Sequence, residues 1–306
     1  MNKSLRNLLS LKNISFSALI LCQKPVTEAT GTKKYKNRLV TSHFESDGLQ
    51  LVGRLTEPHQ SNQGNTAGLL LCHGFPSIAV GDKDAAQSYY DLADLISDQL
   101  GWFVFAITYR GCGESEGNFS LRGWLNDTIN AVQYLSNIKN VDTVYAVGFG
   151  TGGALAINAA CLCDELTGVA AVSPPSDFND WVDEPDGLLS YARKVGVISD
   201  SNYPKEPDKW KQELSEIQTI ESAGKMQGKP LLVLHGADDR VVPSFDARVI
   251  ADAHGSADLR IIDGATHRLR FDPRTTAVLI GWLDRANRSF LKQLDPEKNF
   301  PREEKL

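Results

Sequence analysis

Between residues 38 and 291 the chain alternates short, unbroken apolar runs with longer stretches in which apolar residues recur every three or four positions. Leu69-Leu70-Leu71-Cys72, Trp102 to Thr108, Val144 to Val147, Val169 to Val172 and Leu231 to Leu234 are runs of the first kind, with Leu259 to Ile262 a last one. Runs this short predict strands covered on both faces, as in a parallel sheet. Ahead of them, Arg38 to Glu45 and Leu49 to Leu55 flank Ser46-Asp47-Gly48, a turn signal that makes the pair an opening hairpin. The longer stretches predict helices. Tyr89 to Leu100 gathers Leu92, Leu95 and Ile96 on one face, Leu125, Ile129, Val132 and Leu135 form another such face, and Ala277 to Leu291 closes the series. An antiparallel start followed by alternating strands and helices predicts an α/β protein with a doubly wound, mostly parallel sheet of about eight strands and helices on both faces.

Residues 177–226 break this rhythm, being rich in Asp, Pro, Trp and Lys, with short helical patterns and no apolar strand. An insertion there, after the strand that ends at Ser173-Pro174-Pro175, would rise over the carboxyl ends of the strands, where open α/β sheets bind ligands. The expectation is a small cap over a pocket; the alternative is a solvated surface excursion. No internal repeat or low-complexity linker divides the body, so the chain is expected to hold an extension over residues 1–37 and one domain over 38–306, with the cap at about 177–226.

Composition fits a folded globular body: 42% of the 306 residues are hydrophobic and 23% charged, with a mean hydropathy of −0.26. Charge is uneven. Residues 1–38 hold eight Lys or Arg against Glu28 alone, a net of +7, which leaves −13 for the rest of a chain whose formal total is −6. An acidic body disfavours binding to nucleic acid, because affinity for phosphate backbones comes from clustered cations. From Met1 to Thr27 there is no acidic residue, and Lys3, Arg6 and Lys12 are interleaved with leucines and serines. That composition suggests an organelle transit peptide and an intracellular protein, with a disordered basic extension and a secretory signal as the other readings. The nine-residue apolar run Ile14 to Cys22 is too short to span a bilayer. Five cysteines, odd in number, fit reduced thiols better than a disulfide framework. With no metal-ligand cluster, dinucleotide fingerprint or haem motif, no cofactor is expected, and a small molecule is the expected partner.

The polar and glycine-rich motifs fall at successive strand ends: His73-Gly74-Phe75-Pro76, then Arg110-Gly111-Cys112-Gly113-Glu114-Ser115-Glu116-Gly117, then Gly148-Phe149-Gly150-Thr151-Gly152-Gly153, then His235-Gly236-Ala237-Asp238-Asp239-Arg240-Val241-Val242-Pro243, and finally Gly264-Ala265-Thr266-His267. In this order the set resembles the α/β-hydrolase superfamily, especially its esterase and serine-aminopeptidase-like members, over about residues 38–290. The resemblance implies that Asp239 is the triad acid, with Asp238 the runner-up, and that His267 is the base. It also implies that the backbone N–H groups of Phe75 and Thr151 form an oxyanion hole. Cys112 and Ser115 then read as turn residues, Cys72 as a buried apolar residue, and His73 and His235 as structural histidines.

One position departs from the pattern. The nucleophile elbow should read G-x-S-x-G, and Gly150 stands where the serine belongs. Without that hydroxyl the covalent route is closed, and neither Thr151 nor Cys72 replaces it. Three readings follow. The first is a catalytically silent, capped pocket that binds a small acyl or peptide-like ligand. The second is an enzyme, hydrolase or lyase, whose His267–Asp239 dyad activates a water or a substrate proton. The third is an interaction protein that uses an external face.

Overall fold

The computed structural model describes residues 38–59, 66–78, 85–226 and 228–295. The expected extension over residues 1–37 lies outside them. Strands β1 (Arg38–Ser46) and β2 (Leu49–Glu57) form the predicted hairpin, with Ser46 opposite Leu49 across a two-residue loop. Both loop residues have positive φ, 52° at Asp47 and 76° at Gly48, as a tight hairpin turn between right-twisted strands requires. The apolar runs become β3 (Thr66–Cys72), β4 (Phe103–Thr108), β5 (Val141–Phe149), β6 (Leu166–Val172), β7 (Leu231–Gly236) and β8 (Asp258–Ile262).

The eight strands lie in the order β1-β2-β4-β3-β5-β6-β7-β8. β2 is antiparallel to β1 and β4, and the strands from β4 through β8 pair in parallel. Helices cover both faces, and so the doubly wound sheet of about eight strands holds. α1 (Tyr90–Leu100) and α9 (Pro273–Leu294) lie together on one side, where Leu92, Ile96, Leu279 and Leu283 pack on Leu69, Leu71 and Val147. On the other side, α2 (Leu121–Ser136), α3 (Thr151–Ala160) and α8 (Ser244–His254) cover Leu70, Phe105, Ala146 and Val233.

The winding positions the site. From β3 the chain crosses through α1 to β4 on one flank, then returns through α2 to β5 on the other. The winding therefore reverses at β3, and the turns after β3 and β5 border the crevice in which such sheets bind ligands.

The segment between β6 and β7 holds four helices, α4 (Asn179–Asp183), α5 (Pro185–Val195), α6 (Pro207–Glu216) and α7 (Thr219–Lys225). α7 packs on α3 and α8 and so belongs to the helical layer. The earlier part is anchored to the loop after β4: the Phe119 amide donates to the Val197 carbonyl at 2.9 Å, and the Trp210 indole donates to the Phe119 carbonyl at 3.2 Å. A Cβ on Gly111 would stand 2.2 Å from the Val197 carbonyl oxygen, so glycine alone permits that approach.

A buried ion pair fixes the same loop from below. Asp127 accepts from the Arg110 backbone N–H, from its Nε and Nη2, and from the Ser46 hydroxyl. Ser115 Oγ donates to the Thr108 carbonyl at 2.6 Å and accepts the Val52 amide at 2.9 Å, tying β2 to β4. Ser115 is thereby a structural residue, as its place in the motif suggests. The Arg110–Asp127 pairing is not evident in the motif, although Asp127 shares the apolar face of α2 with Trp124 and Ala131 at helical spacing.

Candidate active site

The strand ends bring the five motifs together. After β7, Asp239 is buried, and its two carboxylate oxygens divide their work. Oδ1 accepts the amides of Val241 and Val242, each at 2.9 Å, and Oδ2 accepts from Nδ1 of His267 at 2.8 Å. His267 sits on the loop after β8, and Asp239 is the carboxylate it meets; Asp238, exposed, uses its amide to bond the Ala265 carbonyl. A second imidazole serves the same carboxylate. His235 Nε2 donates to the Val242 carbonyl at 2.9 Å and lies 3.3 Å from Asp239 Oδ2, both side chains being fully buried. Burial alone would raise the Asp239 pKa, but the hydrogen bonds from His235 and His267 outweigh it and hold the acid well below the usual carboxylate range.

With Nδ1 of His267 donating to Asp239, the other nitrogen is left as an acceptor. It points at the elbow: a Cβ built on Gly150 would lie 3.9 Å from His267 Nε2. Gly150 keeps an elbow's backbone, with φ 52° and ψ −123° as the residue before α3. Its amide donates to the Val172 carbonyl at 2.8 Å, and its carbonyl accepts from Gly153 and Ala154.

The three alternate glycines of this turn differ. A Cβ on Gly148 would lie 2.3 Å from the Gly152 carbonyl oxygen, and one on Gly152 would lie 2.4 Å from that of His73. At Gly150 the nearest atoms, Gly74 Cα and His267 Nε2, are both 3.9 Å away. Close packing therefore demands glycine at 148 and 152, while at 150 there is room for a side chain beside the imidazole.

Thr151 opens α3, where the first N–H groups have no intrahelical acceptor. Among the described residues neither its amide nor that of Phe75 has a hydrogen-bond partner. The Phe75 ring is set by four aromatic neighbours, with centroid distances of 4.9 Å to Phe119, 5.5 Å to Trp124, 5.3 Å to Trp181 and 6.1 Å to Tyr191. Trp181 and Tyr191 come from α4 and α5, so the segment between β6 and β7 touches the turn after β3 directly.

The other candidates are structural. His73 is buried, with Nδ1 2.8 Å from the Gly74 carbonyl and Nε2 accepting the Tyr109 amide; burial pushes its pKa down to about 4. Cys72 is fully buried, which pushes its thiol up to about 12. The described cysteines are free thiols, and no cluster of metal-ligating side chains occurs among the described residues.

This fold, with an elbow between β5 and α3 and an acid–imidazole pair after β7 and β8, defines the class. A model of the alpha/beta hydrolase family matches residues 69–279, and the chain belongs to that family. Among curated proteins it is 26% identical to the lysophosphatidylserine lipase ABHD12 of Danio rerio over 72% of this chain and 54% of that one. It is 26% identical to the alpha/beta hydrolase domain-containing protein WAV2 of Arabidopsis thaliana over 58% of each, and 30% identical to human ABHD12B over 52% of this chain and 43% of that one. The chain thus spans about half the length of these relatives. Among solved structures, Est1E from Butyrivibrio proteoclasticus aligns with a TM-score of 0.62 at 16% identity over 81% of this chain and 99% of its own. The alpha/beta hydrolase GrgF from Penicillium aligns with a TM-score of 0.64 at 18% identity over 82% and 98%. These likenesses are of fold.

Proposed function

We propose that this site binds a small acyl or peptide-like carbonyl ligand and does so without covalent attack by the protein, the amides of Phe75 and Thr151 receiving the carbonyl oxygen. The observation that carries this reading is Gly150: the residue at the elbow has no hydroxyl, yet the elbow's φ of 52° is kept. α4 and α5 act as a cap over the oxyanion turn, which their aromatic contacts with Phe75 support. A lipase among the relatives and a Pyrococcus furiosus esterase among the structural neighbours agree with an acyl group as the ligand.

A second reading has its own observation, the 2.8 Å bond between Asp239 and His267 with Nε2 facing the vacated position. A water held between Nε2 and the carbonyl carbon would lose its proton to the imidazole as its oxygen attacks. The carbonyl oxygen takes up the negative charge against the two amides. Collapse of that adduct expels the leaving group, which recovers the proton from Nε2.

Gly150→Ser tests the assignment, because it restores the missing hydroxyl within reach of a base already oriented. The variant is expected to be labelled by a fluorophosphonate probe and to cleave short esters, the parent to remain unlabelled, and Gly150→Ser with His267→Ala to be unlabelled again. A folded Gly150→Ser protein that is neither labelled nor active would overturn the roles given to Asp239 and His267.

A further inference from the structure

Three residues beyond His267 lies a cation that the chemistry above does not use. Arg270 is half-buried, with its guanidinium carbon 4.5 Å from the centre of the Tyr89 ring and 4.2 Å from that of the Phe271 ring. It donates to the Ser88 hydroxyl and lies against the Tyr89 hydroxyl. Guanidinium has five N–H donors in a planar fork, so most of its donors remain after these contacts. Among the described residues no carboxylate pairs with it: the ion pairs nearest in sequence are His267 with Asp239 and Arg274 with Asp272. A cation taken partly out of water without a counter-charge costs free energy, and burial accordingly shifts its proton affinity downward.

Its supports lead to the elbow. The Tyr89 ring packs on Phe149, with centroids 5.0 Å apart, and Phe149 precedes Gly150. The Tyr89 hydroxyl lies against the backbone of Gly74, whose Cα is one of the two atoms nearest to a Cβ built on Gly150. A stacked arginine with donors to spare and, among the described residues, no acid paired with it is suited to a planar or tetrahedral oxyanion.

We propose that Arg270 binds an anionic group, carboxylate or phosphate, carried by the same ligand whose carbonyl sits at the elbow. The inference rests on the proposed carbonyl site and narrows its ligand to acyl compounds bearing a negative charge close to the carbonyl. Ser88 and the rings of Tyr89 and Phe271 hold the guanidinium in place, so the anion meets a fork already oriented.

The test is a matched set of amides measured by calorimetry on the full chain: N-butylsuccinamic acid, its neutral methyl ester, and the phosphonate analogue of the acid. The better anionic probe is expected to bind the parent about tenfold more tightly than the neutral one, the order of a charge-assisted contact. In Arg270→Gln that ratio is expected to fall to about one, and in Arg270→Lys to an intermediate value, since the charge is kept and the fork is lost. The order of the two anionic probes identifies carboxylate or phosphate as the preferred group. A ratio near one in the parent overturns the anionic inference whatever the variants do, and leaves the carbonyl site standing. A ratio unchanged in Arg270→Gln assigns the preference to another residue and overturns the role of Arg270. Binding of none of the probes, together with an unlabelled Gly150→Ser protein, overturns the carbonyl site and this inference with it.

Discussion

Placing a methyl group on each glycine of the elbow in turn separates backbone strain from steric exclusion. At Gly150 an added Cβ meets nothing closer than 3.9 Å, so Gly150→Ala carries only the cost of an L-residue at φ 52°. That cost is about 1–3 kcal/mol. For a domain of this size each kcal/mol lowers the melting temperature by roughly 2–4 °C, which gives a fall of roughly 2–12 °C. Gly150→Ser should fall by about the same amount, since its hydroxyl enters the same open space.

At Gly152 the new carbon would stand 2.4 Å from the His73 carbonyl oxygen and 2.7 Å from that of Cys72, and at Gly148 it would stand 2.3 Å from the Gly152 carbonyl oxygen. These are backbone atoms of β3, of the turn that follows it and of α3, which cannot turn aside, so either substitution should cost more than about 4 kcal/mol or prevent folding. Urea titrations of Gly148→Ala, Gly150→Ala and Gly152→Ala, with thermal melts beside them, measure the order directly. If Gly150→Ala costs as much as Gly152→Ala, position 150 has no room for a nucleophile. If it costs nothing, the elbow does not hold its positive φ in solution. Either result refutes the reasoning.

Asp127→Asn should destabilise the protein by about 1.5–3 kcal/mol in urea, because the Arg110 guanidinium loses its buried counter-charge and keeps only the more exposed Asp47, 2.8 Å away; a loss below about 1 kcal/mol would mean that the pair is solvated. His73 should make stability depend on pH. Burial lowers its pKa to about 4, against about 6.5 in the unfolded chain. Its contribution is therefore fully present above about pH 6.5 and declines towards pH 4, by roughly 3 kcal/mol in all. Denaturant titrations at pH 7, 5.5 and 4.5 should show a decline that His73→Gln flattens, and an equal decline in the variant would assign the effect to other groups.

The strands were legible because each central one is apolar on successive positions, a pattern that burial on both faces imposes, and β3, β5, β6 and β7 fall on the predicted runs. The helix between β7 and β8 was harder to see: Ser244–His254 buries only Ala247, Ile250 and Ala251, too sparse an apolar face to stand out. At the site, the motif order points to the Asp239–His267 pair, and the structure joins those two side chains. Its second imidazole could be read only as a structural histidine, since the proximity of His235 to Asp239 depends on how the loop after β7 folds back. Arg270 was illegible for another reason. Its hydroxyl partner, Ser88, lies 182 residues away, and nothing in His267-Arg268-Leu269-Arg270 distinguishes a stacked cation from a solvated one.

Phe75 belongs to two structures at once. Its amide is part of the turn after β3, while its ring is gripped by Phe119 and Trp124 from the body and by Trp181 and Tyr191 from α4 and α5. An aromatic ring is a rigid plate with two torsions, so a shift of α4 or α5 acts on the Phe75 backbone as on a lever. In the proposed site the short helices would thus govern how firmly that amide is seated. The same arrangement supplies an optical gauge, for two indoles lie 5.5 and 5.3 Å from that ring. Their emission should change whenever the donor moves, reporting occupancy in a protein that need not turn anything over.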